Sequence, residues 1–282
     1  MNYRHAYHAG NIGDVLKHAV LACCLVYMQR KAAPFRVLDT HAGIGSYPLS
    51  LEEMQKTGEW ERGIGRVLAE PCPGPVDKVL APWLDAVKAA NPSGTLEVYP
   101  GSPALTRALL RPQDRMTLTE LHPADYETLS HRFAGDHQVK VIHLDGWLAL
   151  GSFVPPKEKR GLVLIDPAFE VTDEFERIAD GLIKAWKRWP GGMYLLWYPM
   201  KDWRAVKQLH ATLEEAGLRD ILALELSIGR SDPDSPMRGS GMTLINAPFT
   251  LAEDMRIALP WLRDILAEGP GAAAHVHQVV PE

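Results

Sequence analysis

The sequence has few cysteines, no long apolar run and no excess of positive charge. Its three cysteines, Cys23, Cys24 and Cys72, form neither a disulfide framework nor a zinc signature, which favours a reducing cytoplasm. The longest apolar run, residues 19–28, is too short to cross a bilayer, and residues 1–8 lack the apolar core of a secretory signal. A net charge of −5 argues against a uniformly basic nucleic-acid binder but not against a local basic face.

The composition is that of a packed globular chain. The 282 residues, 46% hydrophobic and 23% charged, fit one large domain or one domain with a small insertion. Positive charge is concentrated in residues 1–36, with five basic residues against one acidic, and in residues 184–207, with six against one. Each segment is either a nucleic-acid footprint or a solvated helix face, and charge alone does not decide between them.

The apolar pattern predicts a doubly wound α/β sheet of seven strands. An amphipathic stripe predicts a helix over residues 11–31, and helix-length segments such as 173–188 and 203–217 separate most of the strands. Continuous apolar strands alternating with helices are typical of a parallel sheet covered on both faces. The predicted strands are residues 36–39, 116–120, 139–144, 162–165, 193–198, 221–226 and 242–246.

One segment interrupts this alternation. Residues 48–98 contain no predicted strand and two predicted helices, at 51–58 and 76–90. We therefore expect a core formed by residues 1–47 and 99–282, with a substrate-binding segment at its N-terminus. We expect residues 48–98 to form a small helical insertion.

The end of the first strand carries a glycine turn. Asp39 is followed by His41, Gly43 and Gly45, and glycines at the carboxyl end of a parallel strand let the backbone approach a ligand closely. A dinucleotide fingerprint needs a third glycine where this chain has Pro48, so NAD is disfavoured. An acid followed by G-x-G is instead typical of S-adenosylmethionine (AdoMet) methyltransferases. A tight turn without a ligand is the alternative.

Acidic residues also end the second and third predicted strands. Glu120 and Asp145 stand there, where carboxylates can accept hydrogen bonds from a ribose diol or an adenine amino group. Each acid taken singly could instead cap the helix that follows. Three acids at neighbouring strand ends, with Asp39, favour a ligand site.

The fourth strand ends in a tetrad suited to methylating an exocyclic amine. Asp166 would be catalytic, because a carboxylate and a backbone carbonyl, that of Pro167, must accept the two amine hydrogens. The ring of Phe169 would hold the base face-on. For this tetrad alone, a strand-to-loop turn with a buried Phe is the alternative.

Several segments together resemble the RlmJ family of bacterial 23S ribosomal RNA adenine-N(6) methyltransferases. The resemblance extends from residue 3 to residue 282, and the YRHAYHAGN and LDTHAG segments are its most specific parts. The matching segments are residues 3–11 (YRHAYHAGN), 14–18 (DVLKH), 38–43 (LDTHAG), 99–103 (YPGSP), 119–123 (TELHP), 145–146, 165–167 and 196–199 (LWYP).

The resemblance implies a Rossmann-like AdoMet-dependent methyltransferase with a small helical insertion. It implies that Tyr3 contacts the RNA near the target base, and Lys17 belongs to the basic N-terminal segment that we expect to bind phosphates. Ser102 also suits a helix cap before Pro103, which would place free N–H groups near the cofactor carboxylate. The residues expected around AdoMet are His18, His41, Gly43, Ser102, Glu120, Asp145, Gly146 and Asp166.

The sequence therefore predicts a cytoplasmic enzyme that methylates N6 of an adenosine in 23S ribosomal RNA. We expect a monomer that acts with AdoMet and without a metal ion or a membrane. The alternatives are a DNA-adenine or protein-amide methyltransferase and a non-catalytic RNA-binding or ribosome-assembly factor. The chain departs from the family's usual Asp-Pro-Pro-Tyr at Ala168 and Phe169. The ring of Phe169 can still stack on a base, but the rigid proline φ is lost, so we expect activity to survive at a reduced level.

Overall fold

The computed structural model describes residues 4–229 and 238–282. After a short 3-10 turn (His5–Tyr7), helix α1 begins where Asn11 accepts hydrogen bonds from the N–H groups of Gly13 and Asp14. The helices are α1 (Ile12–Gln29), α2 (Glu52–Thr57), α3 (Arg66–Ala69), α4 (Gly74–Ala89), α5 (Ser102–Leu109), α6 (Pro123–Arg132), α7 (Gly146–Ser152), α8 (Glu174–Arg188), α9 (Trp203–Glu215) and α10 (Leu251–Leu266).

Ten described strands form two sheets. They are β1 (Arg36–Asp39), β2 (Ser46–Pro48), β3 (Val98–Pro100), β4 (Arg115–Glu120), β5 (Val139–His143), β6 (Gly161–Ile165), β7 (Met193–Pro199), β8 (Ile221–Gly229), β9 (Gly239–Ile245) and β10 (Gly271–Val280). The large sheet has the order β10-β8-β9-β7-β6-β1-β4-β5, and β2 pairs with β3 separately.

The parallel part of the large sheet determines where a ligand can bind. Strands β7, β6, β1, β4 and β5 are parallel to one another. Strand β9 pairs antiparallel with β7, β8 pairs antiparallel with β9, and β10 pairs antiparallel with β8. The chain builds outward from β1 through β4 to β5 and then crosses to β6, so the winding direction reverses between β1 and β6. The crevice at the carboxyl ends of the strands beside such a reversal is the usual ligand site of doubly wound sheets.

The predicted α/β fold is confirmed, but the large sheet has eight strands rather than seven. All seven predicted strands are present. The additional strand, β10, pairs only with β8 and is an edge strand, with most of its residues at least partly exposed. Its sequence, GAAAHVHQVV, therefore lacks the continuous apolar run by which the buried strands were predicted.

The predicted helical insertion begins and ends at the small sheet. Strands β2 and β3 are antiparallel, with Ser46 opposite Pro100, and the chain between them forms α2, a kinked helical turn (Glu61–Gly65), α3 and α4. Helices α2 and α4 confirm the two that the sequence predicted within this segment. The division into a core and an insertion at 48–98 remains our proposal, and the β2–β3 ladder supports it.

Helix α1 accounts for the most apolar part of the chain. Of the described helices it alone is long and apolar enough, by length and composition, to cross a membrane, and 78% of that stretch is buried inside the protein. It packs against α4, α5, α10 and strand β9. Core packing therefore accounts for its apolar character.

Candidate active site

A cavity of about 320 Å3, the first cavity, opens at the carboxyl ends of β1, β4, β5 and β6. Parallel strands end at one edge of a sheet, so residues distant in sequence meet there. The first cavity is lined by residues that the sequence singled out, namely His41, Gly43, Glu120, Asp145, Gly146, Asp166 and Pro167.

Glu120 is fixed by the glycine turn that follows β1. Its Oε2 accepts a hydrogen bond from the Gly43 N–H at 2.8 Å, and its Oε1 accepts one from the His122 N–H at 2.7 Å. Burial raises the pKa of Glu120, and these two donors oppose that rise. Gly43 has φ +59°, and a Cβ there would lie 2.2 Å from Tyr47 Oη, so the turn requires glycine. A carboxylate has about four acceptor positions, so Glu120 can still accept ligand hydroxyls.

Asp145 caps a helix and lines the first cavity at once. Its Oδ1 accepts a hydrogen bond from the Trp147 N–H at 2.7 Å, which is the N-cap contact of α7. The alternative reading of this acid as a helix cap is therefore confirmed. Asp145 also faces the first cavity, together with Gly146.

Glu174 is a cavity residue that the sequence analysis missed. It is the first residue of α8, it is only 5% exposed, and it lines the first cavity with Arg177. Among the described residues Glu174 Oε1 has no hydrogen-bond donor, and Arg177 Nη1 is 3.8 Å from it. Burial raises the pKa of Glu174. Leaving a buried acceptor unpaired is costly, so this oxygen indicates a ligand that donates a hydrogen bond here.

A second cavity of about 180 Å3 lies on the other side of Asp166. His5, Asp166 and Ala168 line both cavities, so the Asp166 carboxylate stands on their shared wall. The second cavity is also lined by Lys17, Glu59, Phe169, Trp197 and Lys201.

Phe169 brings an aromatic ring to the second cavity. Its ring packs edge-on against Trp197, with centroids 5.9 Å apart, and tilted against Phe175 at 5.3 Å. Its φ of +52° lies in the left-handed region, which is strained for a bulky residue and typical of functional positions. Two aromatic side chains in one cavity wall suit a planar base.

Lys17 lies beneath Asp166 rather than at the surface. Its side chain is 3% exposed, and its Nζ contacts both Asp14 Oδ1, at 2.7 Å, and Asp166 Oδ2. Burial acts to lower the pKa of Lys17, but the two carboxylates outweigh burial and raise it. The lysine charge is thus balanced within the protein, and the contact of Lys17 with substrate stays a prediction.

Neither Ser102 nor His18 lines the first or the second cavity. The Ser102 hydroxyl donates to Asp39 Oδ2 at 2.7 Å, and burial raises the pKa of Asp39 to about 6. Gly101 is the N-cap of α5 and Ser102 its first helical residue, so the prediction of Ser102 as a cap is wrong. His18 Nδ1 lies 2.7 Å from Tyr99 Oη. Tyr3 lies outside the described residues.

The basic segment 184–207 does not form one surface. Helix α8 starts at the site edge of the sheet and runs about 22 Å to the opposite edge, where its last turn carries Lys187 and Arg188. Lys201 follows the carboxyl end of β7 and lines the second cavity, with exposed Arg204 nearby on α9. Only the second half of this segment therefore lies beside the site.

The histidines of the site do not form a metal centre. Within residues 4–229 and 238–282, no three His, Cys, Asp or Glu side chains are grouped so as to hold a metal ion. His5 and His8 instead contact acids, with His5 Nε2 3.0 Å from Asp14 Oδ2 and His8 Nδ1 3.0 Å from Glu59 Oε2.

Comparison with known proteins identifies the family. The family model described as "Ribosomal RNA large subunit methyltransferase D, RlmJ" matches residues 32–279. The chain belongs to the RlmJ family. It is 41% identical to ribosomal RNA large subunit methyltransferase J of Escherichia coli K12 and 42% identical to that of Haemophilus influenzae Rd, in each case over all of both chains.

A solved structure confirms the fold of this RlmJ-family chain. The crystal structure of a Legionella pneumophila protein superimposes with a TM-score of 0.86 at 31% identity, and the match covers 96% of this chain and 98% of that one. The family resemblance deduced from the sequence and the Rossmann-like α/β architecture are both confirmed.

Proposed function

We propose that this RlmJ-family protein transfers the methyl group of AdoMet to N6 of an adenosine in 23S ribosomal RNA. The observation that carries the proposal is the position of Asp166, whose carboxylate stands on the wall shared by the two cavities. One carboxylate can therefore touch a methyl donor on one side and an acceptor amine on the other. The large-subunit RNA follows from the relatives, which are bacterial, and the cytoplasm is where such RNA is found.

The first cavity fits AdoMet in charge and in hydrogen bonding. Its walls carry more carboxylates than cations, with Glu120, Asp145, Asp166 and Glu174 among the acids. Acidic walls suit a sulfonium and an amino group and disfavour the pyrophosphate of a dinucleotide. Glu120 and Glu174 have acceptor positions for the ribose hydroxyls and amino groups of the cofactor. When bound, AdoMet supplies an electrophilic methyl group.

The second cavity is suited to hold the target adenine. The rings of Phe169 and Trp197 would hold the base, and the Asp166 carboxylate on the shared wall would accept one N6 hydrogen. The Pro167 carbonyl, which belongs to the adjoining wall of the first cavity, would accept the other. Asp166 would hold one N6 hydrogen while the nitrogen accepts the methyl group that the sulfonium sulfur gives up. The nitrogen would then carry a positive charge, and Asp166 would take the proton that it loses. Positioning of the two reactants is thus the main contribution of the protein.

The test is methyl transfer from labelled AdoMet to unmodified 23S ribosomal RNA, with DNA and total protein as parallel acceptors and nucleoside analysis of the product. We expect one N(6)-methyladenosine in the RNA and no label in DNA or protein. Label in DNA or protein alone would support the other amine methyltransferases. Bound AdoMet without transfer to any acceptor would support a non-catalytic factor.

The variant Asp166→Ala tests the role of the shared wall. Without the carboxylate the amine loses its acceptor, so we expect kcat to fall at least about 100-fold. AdoMet affinity, measured by calorimetry, should change much less. Undiminished methylation by this variant would remove Asp166 from the mechanism.

A further inference from the structure

Asp14 connects the N-terminal segment to the reaction site. It lies in the first turn of α1, and its side chain is completely buried. Its Oδ2 accepts a hydrogen bond from the Gly10 N–H at 2.8 Å and lies 3.0 Å from His5 Nε2. Its Oδ1 lies 2.7 Å from Lys17 Nζ. The Asp14 carboxylate thus contacts the Gly10 N–H, the His5 ring and the Lys17 ammonium. Two of these residues, His5 and Lys17, line the second cavity.

The charges around Asp14 form a buried chain that ends at Asp166. Burial acts to raise the pKa of Asp14, but His5 and Lys17 outweigh it and hold that pKa well below its ordinary value. Asp14 is therefore ionised at neutral pH. Lys17 lies between this carboxylate and that of Asp166, so the ammonium is shared between two acids.

Residues 63 and 64, which lie between β2 and β3, contact the N-terminal segment on the side of Gly10 that faces away from Asp14. The Gly10 carbonyl accepts a hydrogen bond from the Ile64 N–H at 2.9 Å. Gly63 approaches so closely that a Cβ there would lie 2.0 Å from the Gly10 oxygen. Asp14 and the kinked turn (Glu61–Gly65) therefore hold Gly10 between them. Asp14 also contacts His5, which lines both cavities.

We propose that Asp14 is a positioning residue for methyl transfer that acts through Lys17. An ammonium held by Asp14 on one side can bind only one oxygen of Asp166 on the other, and Oδ2 is the oxygen that it contacts. The carboxylate of Asp166 is thereby kept from rotating, and Oδ1 is left for the target amine. Because Asp14 also neutralises part of the Lys17 charge, the Asp166 carboxylate remains a stronger hydrogen-bond acceptor for the amine. This inference rests on the proposed function.

A purely structural role for Asp14 is the competing explanation. An acid in the first turn of a helix interacts favourably with the helix dipole and with free N–H groups, whatever the protein does. That role predicts loss of stability without a selective loss of turnover. It also predicts no energetic coupling between Asp14 and Lys17 in kcat.

The experiment is a double-mutant cycle on kcat with Asp14→Asn, Lys17→Met and the double variant, using 23S ribosomal RNA as acceptor. Turnover is counted per AdoMet-binding site, so that unfolded protein does not register as lost activity. Asn can still accept the Gly10 N–H, so we expect Asp14→Asn to fold and to lower kcat about 10- to 100-fold. Its Kd for AdoMet should stay within about threefold of wild type. The double variant should be no more than about threefold slower than Lys17→Met, because Asp14 acts through the lysine.

The matched control is Asp114→Asn. Asp114 is also completely buried and accepts hydrogen bonds from Arg111 and from the Phe35 N–H, but it lies at the other edge of the sheet, before β4. We expect this variant to lose stability while kcat stays within about twofold of wild type. A second site variant, Asp14→Glu, keeps the charge and should retain more turnover than Asp14→Asn.

Two results would overturn the inference while leaving the proposed function intact. One is a kcat for Asp14→Asn no lower than that of the Asp114→Asn control. The other is an effect of Asp14→Asn on kcat that is as large in the Lys17→Met variant as in the wild-type protein. Wild-type protein that transfers no methyl group to RNA would refute the proposed function, and the inference with it.

Discussion

Acid should destabilise the protein through His18. This side chain is completely buried, and burial lowers its pKa to about 3, so it is neutral in the folded protein. A histidine in the unfolded chain titrates near pH 6.5. Between these values the unfolded state binds a proton that the folded state does not, so the free energy of unfolding falls as the pH decreases below about 6.5.

The size of the effect follows from the two pKa values. At pH 5 the unfolded histidine is about 1.5 pH units below its pKa, which corresponds to about 2 kcal/mol of lost stability. This is a large share of the roughly 5–15 kcal/mol that stabilises a typical domain. Asp39 acts in the opposite direction, because its raised pKa of about 6 lets the folded state keep a proton that the unfolded chain releases. Only a comparison of variants therefore isolates His18.

The assay is urea unfolding at pH 7.5 and at pH 5 for wild type and His18→Gln, with exposed His137→Gln as the control. A glutamine cannot titrate, but its amide can still contact the Tyr99 hydroxyl that His18 meets at 2.7 Å. Wild type and His137→Gln should lose about 2 kcal/mol more than His18→Gln between the two pH values. An equal loss in all three proteins would refute the assignment of a buried, neutral His18.

Three further predictions concern the cavities. Ala168→Pro should raise kcat a few-fold and add about 0.4–1 kcal/mol of stability, since it stiffens the chain beside Asp166; a fall in both would show that the native φ there does not suit proline. Trp197→Ala should raise KM for RNA by about 5- to 100-fold, as expected for the loss of base stacking, with AdoMet affinity unchanged in calorimetry; a weaker Kd for AdoMet with unchanged KM for RNA would place the base elsewhere. Glu174→Ala should weaken AdoMet binding about tenfold because it removes a buried acceptor, whereas exposed Glu176→Ala on the same helix should not; equal affinities would mean that no ligand group reaches Glu174.

The buried half of the fold was predictable because burial on both faces leaves a plain sequence signal. Strands β6 and β7 are apolar along almost their whole length, and β1 and β4 are buried at every position after the first; a parallel sheet explains that pattern. Strand β10 has the opposite character, with small and polar residues on a half-exposed edge, and no local pattern separates such a strand from a loop.

The site was predictable where a strand brought its residues to the sheet edge. Glu120 ends β4, Asp166 directly follows β6, and Asp145 stands two residues after β5, so strand prediction alone placed them together. The pairing of Lys17 with Asp166 joins residues 149 positions apart, and nothing near either residue signals it. Glu174 was missed for a related reason, because an acid in the first turn of a helix is ordinarily explained by the helix dipole alone.

The pairing of β2 with β3 makes the segment between them exchangeable. Since Ser46 stands opposite Pro100, the helices from α2 to α4 leave and rejoin the rest of the chain at one junction. Helix α4 also packs on α1 and α10, so an exchanged segment must keep that buried face. Loss of the segment would remove Glu59 and Gly63, which brace the N-terminal segment. The same two-strand junction would accept the corresponding segment of a relative. Grafting across it would show how much of RNA selection belongs to the insertion and how much to the sheet.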